Sequence, residues 1–209
     1  MPRQIDYYFT LYSPWTYLGH ELFLDITRRH GCTVRYWPTP LRSVFDETGG
    51  LPLPKRHPVR QRYRIMELQR WRQRRDRPLN LFPRHASADI ALADRTLIAA
   101  TLAGSDPGAF MERVLAGVWA QELDLSQRDL VVEMANASGL DGEALVEQAG
   151  SDAVAARYAR TIEAAVAAGV FGAPSYVLDG EVFWGQDRLE LLDEALASGR
   201  AAYRADATA

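Results

Sequence analysis

The order of apolar and polar positions divides the chain into a strand-helix-strand opening, a long helical middle, and a hairpin followed by one helix. β-favouring residues crowd positions 4–11 (Ile5, Tyr7, Tyr8, Phe9, Thr10) and predict a first strand. Ser13-Pro14 then opens a helix that runs to about residue 30, since proline at the first helical position gives up no hydrogen bond. Gly31 stops that helix, and residues 33–37 predict a second strand. A connection of this length suits a parallel crossover, so the opening reads as β-α-β in a layered α/β domain.

A Pro- and Gly-rich stretch at 38–58 reads as a loop, and residues 59–168 as mostly helical. Within them, Ser87 precedes a helix at 88–103, and Asp106-Pro107 opens one that ends near Leu123. Ser126 with Asp129 has the form of a capping box, Asp141 starts a short helix through Gln148, and Ser151 or Asp152 caps a helix at 153–168 that Gly169 ends. Two short apolar runs joined through Asp179-Gly180 predict a hairpin. A last helix covers 187–198, and the tail from Arg200 onward is small and polar enough to fray.

With 209 residues, 47% of them hydrophobic and 24% charged, the chain has the profile of a globular protein large enough to hold a core without disulfide or metal staples. Cys32 is the only cysteine, which excludes an intramolecular disulfide, a Cys-x-x-Cys redox pair and a multi-thiolate zinc site; no metal is expected. The N-terminus has no basic head followed by a long apolar run, and no stretch approaches the roughly 20 apolar residues that span a bilayer. A cytoplasmic protein with no membrane partner is the expectation.

The net charge of −3 conceals an asymmetry, because residues 55–85 hold 11 Lys+Arg against 2 Asp+Glu. Tyr63, Trp71 and Phe82 interleave with these cations, yet there is neither a basic domain nor a recognisable nucleic-acid module, so no nucleic-acid partner is expected. The stretch reads as a solvated helix face with a few cations aimed at an anionic small molecule. Tyr63 and Trp71, eight apart, read as core or pocket wall, and Cys32 as a small buried apolar residue.

Three constellations can carry chemistry. The first, Ser13-Pro14-Trp15-Thr16-Tyr17-Leu18, lies between a strand and the first turn of a helix, where exposed amides and the helix macrodipole stabilise an anion or thiolate. Ser13 is there either a plain N-cap or a partner for such a group. The second, Gly169-Val-Phe-Gly-Ala-Pro174-Ser175, precedes the hairpin. Pro174 either starts the strand or makes a cis peptide that turns the N–H and C=O of Ala173 toward a ligand. The third, Trp184-Gly185-Gln186-Asp187-Arg188, ends the hairpin and starts the last helix. Gln186 and Asp187 can cap that helix, offer acceptors to a ligand ammonium group, or both, while the helix amides take a carboxylate.

In this order the three constellations resemble the 2-hydroxychromene-2-carboxylate isomerases and the related kappa-class glutathione transferases. The resemblance spans residues 6 to about 196 and is carried by Asp6-Tyr-Tyr-Phe9, Ser13-Pro-Trp-Thr-Tyr-Leu18, Tyr63 with Leu68-Gln-Arg-Trp71, Phe82-Pro83, and the run 169–188. It implies an α/β fold: a thioredoxin-like (DsbA-like) domain, residues 1–40 plus 169–209, with a large all-helical insertion at 41–168. Ser13-Pro-Trp-Thr16 stands where dithiol relatives carry Cys-Pro-x-Cys, so the thiol is imported, and the resemblance names glutathione as its source. Ser13, the catalytic residue, then hydrogen-bonds the sulfur while the helix N-terminus lowers the thiol pKa. The resemblance also implies that Ala173, before a cis-Pro174, pairs with the glutathione backbone, and that Trp184, Gly185, Gln186 and Asp187 hold its γ-glutamyl end.

The implied reaction is cis-trans isomerisation of a conjugated aromatic pyruvate during aromatic breakdown: the thiolate adds to the side-chain double bond, the single bond rotates, and elimination restores the double bond. The substrate carboxylate calls for a cation, for which Lys55, Arg56, Arg60 and Arg84 are the candidates. His85 is either a general acid or base for the proton movements or a surface loop residue. Relatives are commonly dimers, so a homodimer is expected. Many relatives read Thr-Gly-Asn-Lys-Pro-Pro where this chain has Thr48-Gly-Gly-Leu-Pro-Leu53, which leaves Lys55 or Arg60 as replacements at a shifted position. After Phe82-Pro83 relatives commonly show Asn, against Arg84-His85-Ala86-Ser87 here, so the substrate can differ from the chromene carboxylate. Two other readings stand beside the isomerase: a kappa-like transferase or peroxidase, and a non-catalytic thioredoxin-like binding module.

Overall fold

The computed structural model describes residues 2–85 and 88–205. The two ends of the chain meet in one sheet. β1 (Gln4–Phe9) and β2 (Thr33–Pro38) run parallel and are joined by α1 (Pro14–Arg29). β1 also pairs antiparallel with β3 (Ser175–Leu178), which turns through Asp179-Gly180 into β4 (Glu181–Trp184). The strand order β2-β1-β3-β4 puts β1 and β3 inside, and all four residues of β3 are buried.

Between β2 and β3 the regular structure is helical: α2 (Leu41–Thr48), a 3-10 turn (Leu53–Lys55), α3 (Pro58–Arg74), α4 (Ala91–Leu102), α5 (Gly108–Trp119), α6 (Arg128–Asn136), α7 (Gly142–Gln148) and α8 (Asp152–Ala167). After β4 a 3-10 turn (Gln186–Arg188) leads into α9 (Leu189–Ser198). This is the thioredoxin-like α/β arrangement with a helical insertion. Each face of the sheet has its own core. Ile5, Tyr7 and Phe9 point to the side of α1 and α9, where Tyr7 lies 4.5 Å from the Phe23 ring and 5.1 Å from that of Tyr176. The same core continues into Leu97, Phe110 and Val114 of the insertion. Tyr8 points the other way and packs with Trp37, Val44, Ala165, Val170 and Val177 under α2 and α8.

Several boundaries differ from the sequence reading, each for a local reason. The stretch 38–58 is not all loop, because Pro40 and Gly49 bracket a two-turn helix whose Val44 is buried against the second core. α4 starts at Ala91 rather than at 88, with the Asp89 carboxylate accepting from Ala91 N–H at 2.9 Å; Ser87 lies outside the described residues. α5 stops at Trp119, four residues short of Leu123, and Asp106 serves its start by accepting from Gly108 N–H at 2.9 Å. Ser126 does not cap α6, since its hydroxyl donates to Asp124 at 2.7 Å and Gln127 takes the cap position. Asp141 and Ser151 cap α7 and α8 through their side chains. The tail is anchored where Arg200 pairs with Glu181, whose carboxylate also accepts from Tyr203 N–H at 2.9 Å.

Candidate active site

The sheet register brings the three constellations to one end. Tyr8 lies opposite Ser175 and Ser175 opposite Trp184, so the chain leaving β1, the chain entering β3 and the chain leaving β4 are neighbours. In open α/β sheets ligands collect at such an end, beyond the strand termini.

Ser13 takes the N-cap of α1 and is 6% exposed. Its Oγ accepts from Thr16 N–H at 3.2 Å, which leaves the hydroxyl proton with no acceptor among the described residues. It is therefore a cap and a free donor at once, at the positive end of a 16-residue helix. Thr16, three residues on, is fully buried, and its Oγ1 has no partner among the described residues. Behind this turn His20 is buried, with Nε2 3.0 Å from Gly108 O, and burial pushes its pKa down to about 4. Neutral His20 thus belongs to the core rather than to proton transfer near pH 7.

The Ala173-Pro174 peptide is cis. Ala173 is half-buried, and neither its N–H nor its C=O has a partner among the described residues, whereas Pro174 O accepts from Gly185 N–H at 2.8 Å. That bond ties the second constellation to the third. Trp184 is 52% exposed and meets Phe171 edge-on at 4.7 Å. Gly185 has a φ of +106°, in the region that favours glycine. The N–H groups of Gln186 and Asp187 have no acceptors among the described residues, so they are open at the start of the 3-10 turn. Asp187 pairs with Arg188 at 2.8 Å. Gln186 is 2% exposed, and its Oε1 accepts from Arg75 Nε at 2.9 Å. Arg75 thus takes one lone pair of the oxygen that the sequence offers to a ligand ammonium group.

None of the candidate substrate cations has a hydrogen bond or ion pair to Ser13, Ala173 or the 185–187 turn among the described residues. Arg60 and Arg75 stand 15 residues apart, and at 1.5 Å per helical residue that is about 22 Å along α3. Lys55 and Arg60 are exposed at the far end of that helix. Arg84 is 76% exposed and 3.7 Å from Glu122, and the charge of neighbouring His85 bears on Asp124. Both face the segment after α5. Trp71 packs against the core, but Tyr63 is exposed on the outer face of α3, against the expectation of a wall residue. Arg64, not singled out in the sequence, is half-buried, has no ion-pair partner among the described residues, and has its pKa lowered by burial and by Arg56. Cys32 is half-buried with its thiol pushed up by burial, which makes it a poor nucleophile. A groove of about 470 Å3 runs along the outer edge of β4 past Phe183, Trp184, Leu191 and Arg200, and includes neither Ser13 nor Ala173.

Sequence reasoning missed two contributors. Arg75 was one of 11 cations in its stretch, with nothing local to mark it. Gly19 lets α1 approach the third constellation, since a Cβ there would lie 2.6 Å from Gln186 Cβ.

A family model described as a DSBA-like thioredoxin domain matches residues 4–197. A 2-hydroxychromene-2-carboxylate isomerase from Sphingobium xenophagum is 32% identical over 199 residues, 94% of this chain and 99% of that protein. A glutathione S-transferase kappa 1 from Rattus norvegicus is 23% identical over 203 residues, 91% of this chain and 89% of that protein. A solved structure of a 2-hydroxychromene-2-carboxylate isomerase has a TM-score of 0.77 and 28% identity, covering 93% of this chain and 95% of that one. The strand order and the near-complete match in both directions agree: the chain belongs to the DSBA-like thioredoxin family, and within it to the 2-hydroxychromene-2-carboxylate isomerase family.

Proposed function

We propose that the protein is a glutathione-dependent isomerase of 2-hydroxychromene-2-carboxylate or a related conjugated aromatic pyruvate. The observation that carries this reading is Ser13: a nearly buried hydroxyl whose acceptor side is used by Thr16 N–H and whose proton is uncommitted. Polar groups without partners among the described residues lie on the three segments that the sheet register brings to one end, which supports a short peptide with a thiol as the ligand. The Ala173 N–H and C=O suit its backbone, and the Gln186 and Asp187 amides suit a carboxylate.

Bound glutathione supplies the thiol that adds to the substrate double bond and leaves again after rotation. Ser13 donates its hydroxyl hydrogen to the sulfur, and the start of α1 favours the charged form of the thiol. Ala173 orients the peptide, and Trp184 covers one side. The half-buried Arg64, with Arg56 beside it, joins Lys55, Arg60 and Arg84 as a candidate for the substrate carboxylate, since an unpaired guanidinium binds such a group bidentately. The kappa-class relative supports a second reading, a transferase using the same frame against an electrophile. Family membership favours a cytoplasmic homodimer; among the described residues no helix is long and apolar enough to cross a membrane.

The test is calorimetric titration with glutathione, paired with thiolate absorbance of the bound ligand against pH and turnover of aromatic pyruvates. The expected result is saturable binding, a bound-thiol pKa below that of free glutathione, and a rise of that pKa in Ser13→Ala with loss of turnover. Absence of binding at millimolar glutathione would overturn the proposal. Binding with conjugation of electrophiles but no isomerisation would select the transferase.

A further inference from the structure

The second core, under α2 and α8, gives way at one side to a cluster of cations. On the face of the sheet that carries Tyr8 and Trp37, the next pair back along β1 and β2 is Asp6 and Arg35, three residues short of the strand ends at Phe9 and Pro38. Asp6 is fully engaged there. Its Oδ1 accepts from Arg35 Nε and from Trp37 Nε1 at 3.3 Å, and its Oδ2 from Arg35 Nη2 at 2.6 Å. α8 brings two more cations to the same place, Arg157 and Arg160, three residues apart on one side of the helix. The guanidinium carbon of Arg157 lies 3.3 Å from the centre of the Trp37 ring, and that of Arg35 lies 5.3 Å from it. At 3.3 Å a guanidinium has to lie flat on the ring, since a steep tilt would press a nitrogen into it. Stacking then covers one face of the group and leaves its N–H bonds pointing outward along the plane of the ring. None of them meets an acceptor among the described residues, and neither Arg157 nor Arg160 has an ion-pair partner there. Arg157 is half-buried all the same, and its pKa is lowered by burial and then by Arg35 and Arg160. A partly desolvated cation beside two others, with Asp6 as the one carboxylate paired among the three, calls for an anion.

We propose that Arg35, Arg157 and Arg160 form a binding site for a tetrahedral oxyanion of two negative charges, either free phosphate or a phosphate monoester. Charge selects this class over a carboxylate, because Asp6 balances Arg35 and two cations remain. Arg157 offers a flat fork that Trp37 already holds in place, and Arg160 adds a second donor from the rim. The site lies on the face of the sheet opposite α1 and its Ser13 cap, so it stands independently of the glutathione reading. An anion seated there joins α8 of the insertion to β2, and the folded chain gains stability from it by mass action.

The experiment is calorimetric titration of the full chain with inorganic phosphate, at constant ionic strength and above the second ionisation of phosphate, with glycerol 3-phosphate and acetate as comparison ligands. The wild type is expected to bind phosphate saturably in the submillimolar range and acetate at least about tenfold more weakly. Arg157→Met, which keeps an apolar stem on Trp37, and Arg160→Met are each expected to weaken phosphate about tenfold and to leave glutathione binding unchanged. Arg157→Lys, which keeps the charge without the fork, falls between. Arg28→Met makes the same change in net charge at an exposed residue paired with Asp25, and is expected to bind phosphate like the wild type. Phosphate raises the melting temperature of the wild type and of Arg28→Met but not that of Arg157→Met. If Arg157→Met does not fold, the exposed Arg160→Met carries the test. Glycerol 3-phosphate binding more tightly than phosphate selects a monoester, and weaker binding selects the free ion; both support the site. No saturable binding at about 10 mM phosphate would overturn the proposal, as would acetate binding as tightly as phosphate. So would an affinity that neither Arg157→Met nor Arg160→Met changes, or that Arg28→Met lowers as much as they do.

Discussion

Ser13, Ala173 and Gly185 sit in a frame with almost no freedom, whereas Lys55, Arg60 and Arg84 stand on an arm that is mostly solvent-exposed. The frame is held at several points: Ser13 by its cap, Pro174 O by Gly185 N–H, and Gln186 by Arg75 on one side and by α1 at Gly19 on the other. The arm is α3 and its flanks, and of the 17 residues in that helix only Leu68 is fully buried. The contrast separates two tasks. In the proposed reading, groups that meet the same peptide thiol in every turnover are built into the core, where change costs stability. The groups proposed to select the substrate lie where change costs little.

The sharpest way to break this contrast is Gly185→Val. A Cβ at Gly185 would lie 2.3 Å from Asp187 Oδ1 at a φ of +106°. The expected loss is about 3 kcal/mol of stability together with the glutathione site, read by denaturant melts and calorimetry. A variant that melts like the wild type would show that the frame yields.

Next in size is the response to pH of two buried groups, His20 beneath the first constellation and Asp94 in α4. Asp94 is 5% exposed, accepts from the Tyr158 hydroxyl at 3.0 Å, and is raised to about 7 by burial. Between pH 6.5 and about 4 the unfolded chain takes a proton that folded His20 refuses, so stability falls as pH falls. Between 3.8 and about 7 folded Asp94 keeps a proton that the unfolded chain releases, so stability falls as pH rises. The two slopes oppose each other over the shared window. Asp94→Asn is therefore expected to gain about 3 kcal/mol from pH 4 to 6.5, against a nearly flat wild type, in urea melts at each pH.

Ser13→Ala is smaller in stability, about 1 kcal/mol for a lost N-cap, and larger in function, since it also removes the proposed donor to sulfur. Its signature is a modest fall in the urea midpoint beside a clear rise in the bound-thiol pKa. Lys55→Ala, Arg60→Ala and Arg84→Ala are expected to stay within about 0.5 kcal/mol of wild type and to leave glutathione affinity unchanged. If the arm selects substrate, at least one of them raises substrate KM severalfold. Loss of glutathione binding in all three would erase the division between frame and arm.

Much of the frame was legible because its signals are local. Ser13-Pro14 marks a helix start from two adjacent residues, and Asp179-Gly180 marks a hairpin in the same way. Where the sequence misled, the deciding partner was distant or the same residues admitted two structures. Pro40 and Gly49 suit a loop as well as the two ends of a short helix, and burial of Val44 against Trp37 and Ala165 decides between them. Ser126 with Asp129 has the form of a capping box, but the Ser126 hydroxyl closes a turn on Asp124 instead. The Gln186 oxygen accepts from Arg75, 111 residues earlier, a partner that no local pattern marks.

The amino-acid sequence by itself determined the order of elements, the lack of a second thiol, and the identity of the residues at the end of each strand, because all of these depend on neighbours in the chain. Only the tertiary structure decided that those ends meet at one end of the sheet, and that Arg75, from the far side of the insertion, donates to the side-chain oxygen of Gln186. Hydrogen-bond polarity and unpaired charge belong to pairs of groups, and a pair formed across the fold leaves no mark on either stretch of sequence alone.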